Sequence, residues 1–311
     1  MNKITIGKSN VTTLPLGLGT NAVGGHNLFP NLNDETGIKI IKQALNSGIT
    51  LLDTAFAYGM GRSEELIGEA IKGYDRSKII IATKGAQKVL NNGDVEIDNS
   101  PEFLRETVEA SLKRLQTDYI DIFYIHFPDD KTPKDEAVNC LNELKKEGKI
   151  KAIGVSNFSL EQLKEANKDG LVDIDEEAYN LFDREAEKER FPYLNQNNIS
   201  FVPFFPLASG LLTGKYSKET SFPENDIRNG NPDFIGQQFI NNVEKVNQVK
   251  EIAQNHNVTT AQTILAWYIK NPNISVVIPG AKEPEQVQTN AKALEIDLTQ
   301  NEYDKIDKIF K

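Results

Sequence analysis

The chain has 311 residues, 39% of them hydrophobic and 26% charged, an ordinary balance for a globular protein of one large domain or two smaller ones. Its formal net charge is -10, from 45 acidic and 35 basic residues, which opposes nonspecific binding to nucleic acid or anionic membrane. No run reaches the roughly 18 apolar residues of a membrane span, the N-terminal stretch lacks an apolar signal core, and the single cysteine, Cys140, allows no internal disulfide; these features predict a cytoplasmic protein.

In chain order, ITIGKSNVTT (4–13) predicts a short hairpin that would plug a barrel floor. LPLGLGTNAVGG (14–25) is the first of eight short apolar runs. The next stretch, 34–48, starts acidic, ends at Gly48 and carries apolar residues at 38, 41 and 45, a helical pattern. TLLDTA (50–55) and KIIIATKGA (78–86) are the second and third runs. A helix follows over 100–116, with Ser100 as cap and Pro101 in the first turn. After the fourth run, YIDIFYIHFP (119–128), a helix over 132–149 opens on Thr132 and Pro133 and contains Cys140 as a half-buried packing residue. KAIGVSNFS (151–159), LVDIDEEAYN (171–180), ISFVPFFPLASG (199–210) and ISVVIPGA (274–281) complete the set. Residues 213–235 form an irregular stretch rich in Gly, Pro, Asn and charge, either a binding lid or a plain surface excursion.

Near-continuous apolar runs suit parallel strands covered on both faces. Eight of them alternating with helices predict a (β/α)8 TIM barrel, one domain over 1–311, with a doubly wound open sheet as the alternative. In such a barrel the C-terminal strand ends line the active site. Here those ends carry Asp53 with Tyr58 in the following loop, Lys84, His126, Ser156 with Asn157, and Glu176 with Tyr179.

Asp53 and Lys84, on neighbouring strands, predict a partly buried ion pair. Desolvation offsets much of the attraction in such a pair, so stability alone is a weak reason for one. A phenol with an ordinary pKa of about 10 is a poor acid at neutral pH. A lysine beside Tyr58 would lower that value, and Asp53 would hold the lysine. A neutral His126 would donate a hydrogen bond to a carbonyl oxygen. Taken singly, Tyr58 and His126 also read as packing residues.

The ordered series D-T-A-x-x-Y-G with S-E-E-L-I-G (53–68), T-K-G (83–85), Y-I-H (124–126), G-V-S-N-F (154–158), G-L-L-T-G-K-Y (210–216) and I-P-G-A-K (278–282) resembles the aldo-keto reductase superfamily over nearly the whole chain. The likeness is greatest to bacterial reductases of the general stress protein 69 type. It implies a (β/α)8 barrel that binds NADPH in extended form and uses no metal. It implies Tyr58 as general acid, Lys84 and Asp53 as its tuning pair, and His126 as the residue that orients the carbonyl. Ser156, Asn157 and Glu176 would meet the nicotinamide carboxamide, with Tyr179 stacked on the ring and Thr20 and Asn21 close by. Segment 205–215 would lie over the pyrophosphate, with Phe205, Leu207, Ser209, Gly210, Leu211 and Lys215 in contact. Gly280, Ala281 and Lys282 would meet the adenosine 2′-phosphate, and Gln286 and Asn290 the adenine and ribose; IPGAKEPEQVQTN puts a turn and a lysine before a helix start, where phosphate is attracted.

Two positions depart from the family pattern. Glu176 stands where a glutamine is usual, and a carboxylate cannot donate unless protonated. Glu283 follows Lys282 where related chains often carry another basic residue, which weakens 2′-phosphate selectivity. The expected activity is NADPH-dependent reduction of a small-molecule carbonyl by a monomer, in a pocket lined by Tyr58, His126 and Phe56 or Phe127. Two other readings remain. One is a cofactor-binding sensor or regulatory subunit with little turnover, like the beta subunits of voltage-gated potassium channels. The other is a glycosidase using Asp53 with Glu176 or Glu177, which requires carboxylates about 5–9 Å apart across a cleft.

Overall fold

The computed structural model describes residues 3–311 apart from 225 and 227. Seven parallel strands follow one another in sheet order: β1 (Leu18–Gly19), β2 (Leu51–Asp53), β3 (Ile80–Gly85), β4 (Ile120–Ile125), β5 (Ile150–Ser156), β6 (Ile174–Ala178) and β7 (Ser200–Phe204). The eighth position is the segment 275–280. Ser275 N–H donates to Phe201 O at 2.9 Å on one side, and Val277 N–H donates to Pro15 O at 3.0 Å on the other. Gly17 N–H returns to Val277 O at 2.9 Å, so the sheet closes on itself. With helices surrounding it, this is the (β/α)8 barrel expected from the alternation of apolar runs.

Strand alternation builds two cores. Inward-facing Leu51, Ala82, Ile122, Tyr124, Ala152, Ile174 and Val202 fill the barrel. Outward-facing Leu52, Ile81, Phe123, Ile125, Ile153 and Val155 pack against the helices. The hairpin of Ile4–Thr5 and Thr12–Thr13 adds Ile6 and Val11 to the inner core. Gly7 N–H reaches Ser200 Oγ at 2.8 Å, at the start of β7, so the hairpin does close the barrel floor.

Local capping follows the sequence in most places. Helix Asp34–Asn46 is capped by Asn33, and Pro101–Leu115 by Ser100 with Pro at its first position. The helix expected from 132 begins instead at Lys134. The Thr132 hydroxyl donates to Asp129 Oδ2 at 2.8 Å, and Pro133, which has no capping side chain, stands at the cap position. Cys140 is half-buried against the outer core, as its neighbours suggested. A second hairpin, Gln87–Val89 with Val95–Ile97, follows β3 and was not anticipated. Loop 213–235 carries a small core of its own, in which Tyr216, Phe222 and Phe234 pack on Phe239.

Gly154 shows why the G-V-S-N motif begins with glycine. It pairs with Tyr124 across β4 and β5, and a Cβ built on it would lie 2.2 Å from Tyr124 Cδ1. The bare backbone lets the Tyr124 ring lie flat inside the barrel. Gly154→Ala is expected to lower stability by about 1–3 kcal/mol through overpacking. Urea denaturation checks this; an unchanged midpoint would mean the ring can move aside freely.

Candidate active site

Strand register brings the polar strand ends together at one mouth of the barrel. Lys84 on β3 is fully buried. Its ammonium donates to Asp53 Oδ1 at 2.5 Å and to Thr54 O at 3.1 Å, and lies 3.2 Å from Glu176 Oε1. These three contacts match the three donors of an ammonium group. Burial works against the charge, but Asp53, Glu176 and the Tyr58 phenol outweigh it and hold the Lys84 pKa above the ordinary lysine value. The carboxyls pay the other side of this arrangement. Burial, reinforced by the charge of Asp53 and opposed by Lys84, pushes Glu176 up to about 8. Glu176 Oε2 is buried and has no hydrogen-bond partner among the described residues.

Tyr58 lies in the loop after β2, with the Lys84 ammonium 5.5 Å from its ring centroid. Burial pushes the phenol up to about 12; Lys84 limits the rise, while Asp53 and Glu176 add to it. Lys84 does lower the phenol, as expected, but the net shift is upward. One ammonium shared with two carboxyls does not overcome desolvation, and Tyr58 keeps its proton at neutral pH.

His126 follows β4, its ring 6.3 Å from that of Tyr58 and nearly perpendicular to it. Burial, with the Lys84 charge, pushes His126 down to about 3, so the imidazole is neutral. Gln87 Nε2 lies 3.0 Å from Nδ1. With that amide donating, Nδ1 accepts and the ring proton sits on Nε2. Gln87 belongs to the unanticipated hairpin, and no motif pointed to it. Phe127 packs on the His126 ring at 4.6 Å, whereas Phe56 lies under the Arg114 guanidinium at 5.0 Å. Of the two phenylalanines, Phe127 is the one beside His126.

Ser156 pairs in register with Glu176 across β5 and β6. Asn157 has a left-handed backbone, φ 60, which asparagine tolerates. Its Nδ2 donates to His126 O and to Ser156 Oγ, each at 3.0 Å. The Ser156 hydroxyl hydrogen and Asn157 Oδ1 remain uncommitted.

Tyr179 does not belong to this group. Side chains alternate along β6, so Glu176 points inward while Asp175 and Tyr179 point outward. Asp175 meets Arg190 at 2.8 Å, and the Tyr179 hydroxyl donates to Glu187 Oε1 at 2.7 Å. The Tyr179 ring packs with Phe191, Phe201 and Tyr268 in the outer core, so it cannot stack on a ring at the barrel mouth. The aromatic exposed at the end of β7 is Phe205.

Thr20 is buried, its hydroxyl donating to Asp53 O at 2.8 Å at the end of β2. Asn21 turns its Oδ1 toward Gly280. Beyond β7, Leu207 is half-buried, and Ser209 and Gly210 take left-handed backbones, φ 51 and 92. Successive N–H groups in such turns form concavities suited to anions. Leu211 packs its side chain into the core of the following loop, so only its backbone is available to a ligand. Lys215 is exposed beside Tyr216. Ala281 is buried, and Lys282 is exposed with its ammonium 4.6 Å from the Phe29 ring centroid. Gln286 Oε1 accepts from Lys282 N–H at 2.7 Å and Glu283 N–H at 3.2 Å, capping helix Pro284–Ala291, in whose last turn Asn290 is half-buried. Among the described residues, no group of three or more His, Cys, Asp or Glu is arranged to hold a metal ion, and no helix is long and apolar enough to cross a membrane.

Residues 15–311 match the sequence model of the aldo/keto reductase family. The chain is 39% identical to the aldo-keto reductase YhdN of Bacillus subtilis, across 93% of this chain and 87% of that protein. It is 35% identical to the NADH-specific methylglyoxal reductase of Escherichia coli, across 96% of this chain and 95% of that one. The solved structure of a glycerol dehydrogenase from Gluconobacter oxydans superposes with a TM-score of 0.91 at 33% identity, covering 99% of this chain and 94% of that one.

Removing the buried ammonium leaves Asp53 and Glu176 with only each other. Lys84→Met is expected to cost about 3–5 kcal/mol, the usual penalty for breaking a buried pair from one side. Adding Asp53→Asn should restore part of the loss. Chemical denaturation at neutral pH measures both; a single variant as stable as the parent protein would show that the charges are not coupled to folding.

Proposed function

The chain belongs to the aldo/keto reductase family, and from that premise we propose that it reduces aldehydes or ketones to alcohols with NADPH, Tyr58 serving as the general acid. The observation that carries this reading is the Tyr58 ring, 5.5 Å from the ammonium of a buried Lys84–Asp53 pair and 6.3 Å from the His126 ring, at the C-terminal ends of barrel strands. Within the family we assign the chain to the general stress protein 69-like bacterial reductases, on the ordered motif series from D-T-A to I-P-G-A-K. We further take it to act as a monomer in the cytoplasm.

The residues fit a nicotinamide dinucleotide. The Ser156 hydroxyl and Asn157 Oδ1 offer one donor and one acceptor, the complement of a carboxamide, and Glu176 lies beside them. The turn at Ser209 and Gly210, with Lys215, suits a pyrophosphate. Lys282 at the start of helix Pro284–Ala291 suits a 2′-phosphate, and Gln286 Nε2 is left to face a base. Bound NADPH supplies the hydride.

The protein supplies the proton and the geometry. His126, with its proton on Nε2, donates to the carbonyl oxygen and orients it. Tyr58 transfers its phenolic proton to that oxygen as negative charge develops there. Lys84 stabilises the phenolate left behind, and Asp53 keeps the ammonium in place. Phe127, 37% exposed, gives the substrate side an apolar wall.

Tyr58→Phe is expected to bind NADPH as the parent protein does and to lose about 10²–10⁴-fold in turnover, the range for a general acid. Loss of NADPH absorbance with a panel of small aldehydes measures this. Tight NADPH binding by the parent protein with no turnover on any of them would favour the sensor reading. Lys282→Ala should weaken NADPH by on the order of 10–100-fold, the equivalent of a hydrogen bond to a charged group, and leave NADH unchanged. Equal losses for both nucleotides would remove Lys282 from the 2′-phosphate.

A further inference from the structure

Two carboxyls and one ammonium share a buried volume. Asp53, Lys84 and Glu176 are all nearly or fully inaccessible. With both carboxyls ionised the trio would carry a net negative charge in a region without water. It would also leave Glu176 Oε2, an acceptor with no donor, unsatisfied. Both carboxyls contact the same buried ammonium, and two like charges crowded onto one counter-charge out of solvent do not both ionise readily. Lys84 sits 2.5 Å from Asp53 and 3.2 Å from Glu176, which marks Asp53 as the ion and Glu176 as the carrier of the proton.

Building on the reductase reading, we propose that Glu176 is a neutral carboxylic acid sharing its proton with Asp53, and that this proton keeps the Lys84 charge effective at Tyr58. Glu176 is then a positioning residue, acting through Lys84. The proton resolves the unpartnered oxygen and makes the trio neutral overall. It also gives Glu176 both a donor and an acceptor, as a protonated carboxyl has.

The other groups around Glu176 do not take over this role. Tyr124 on β4 lies under the Lys84 ammonium, with its phenol held well above the ordinary value by burial, then by Glu176, Asp53 and Asp175. Tyr58 is protonated and His126 neutral. Across β7 the register partner is Val202, across β5 it is Ser156, and Asp175 faces outward to Arg190. The sign of the pH effect follows. Below about pH 8 Glu176 holds its proton and the trio sums to zero. Above it the trio gains one negative charge, which opposes the negative charge developing on the substrate oxygen and on Tyr58. Carbonyl reduction should therefore fall as pH rises through that value.

Infrared spectroscopy of the nucleotide-free protein tests the proton directly. A protonated-carboxyl band is expected at pH 7 that shifts on incorporation of isotopically labelled glutamate, disappears in Glu176→Gln and titrates away near pH 8. The labelling arm needs no variant and so survives a failure of Glu176→Gln to fold. Absence of any glutamate-sensitive band at pH 7 would overturn the shared proton, even if the enzyme reduces aldehydes. The pH profile of turnover tests the link to Tyr58. The parent protein should lose about tenfold per pH unit above the transition, as for a single ionisation, and Glu176→Gln should stay level over the same range. Superimposable profiles would overturn that link. A band in a protein that reduces nothing would uphold the proton and count against the reductase reading instead.

Discussion

A lysine shut away from water is the constraint around which the rest is arranged. A buried ammonium is tolerated only with close counter-charge and satisfied donors. Lys84 obtains both from three groups on two strands: Asp53 and Thr54 at the end of β2, and Glu176 on β6. Closing the barrel is what brings the two carboxyls to the same ammonium. Folding and the assembly of the site are therefore one event. Burial raises the Tyr58 phenol while the Lys84 charge limits that rise, and burial together with the same charge lowers the His126 imidazole.

The motifs serve this arrangement more through packing than through chemistry. In S-E-E-L-I-G, Ser63 is buried and bonds Thr20 and Thr54, tying the loop that carries Tyr58 back to β1 and β2. Glu64 accepts from Thr83 at 2.6 Å and from Arg114 at 2.5 Å, locking a helix to β3 one residue before Lys84. Gly154 admits the Tyr124 ring that underlies the ammonium. These side chains touch no reacting atom, yet they hold the groups that do.

Much of this was legible from the chain. Asp53, Lys84 and His126 stand out because each ends an apolar run, and in a parallel barrel such ends share one mouth. Other points were not legible. Tyr179 also ends an apolar run, and only the parity of β6 shows that it faces the outer helices. Gln87 comes from a hairpin that Asn92-Gly93 does signal, but a turn signal does not say that Gln87 reaches His126. Thr132 read as a cap, but Pro133 takes the cap position and the Thr132 hydroxyl turns to Asp129. In each case the deciding partner is defined by spatial neighbours or by a side-chain direction that residue type alone does not specify.

The sequence by itself determined the alternation of strands and helices, and with it the barrel, because short apolar runs between amphipathic stretches have few ways to bury both faces of a sheet. It also determined which chemical groups were on hand at the strand ends. Tertiary structure alone decided how far their pKa values move. Lys84, Tyr58 and Glu176 are raised and His126 is lowered because of burial and of neighbours on strands far apart in the chain. A residue's identity sets the pKa it starts from; burial and neighbours, which exist only after folding, set where it ends.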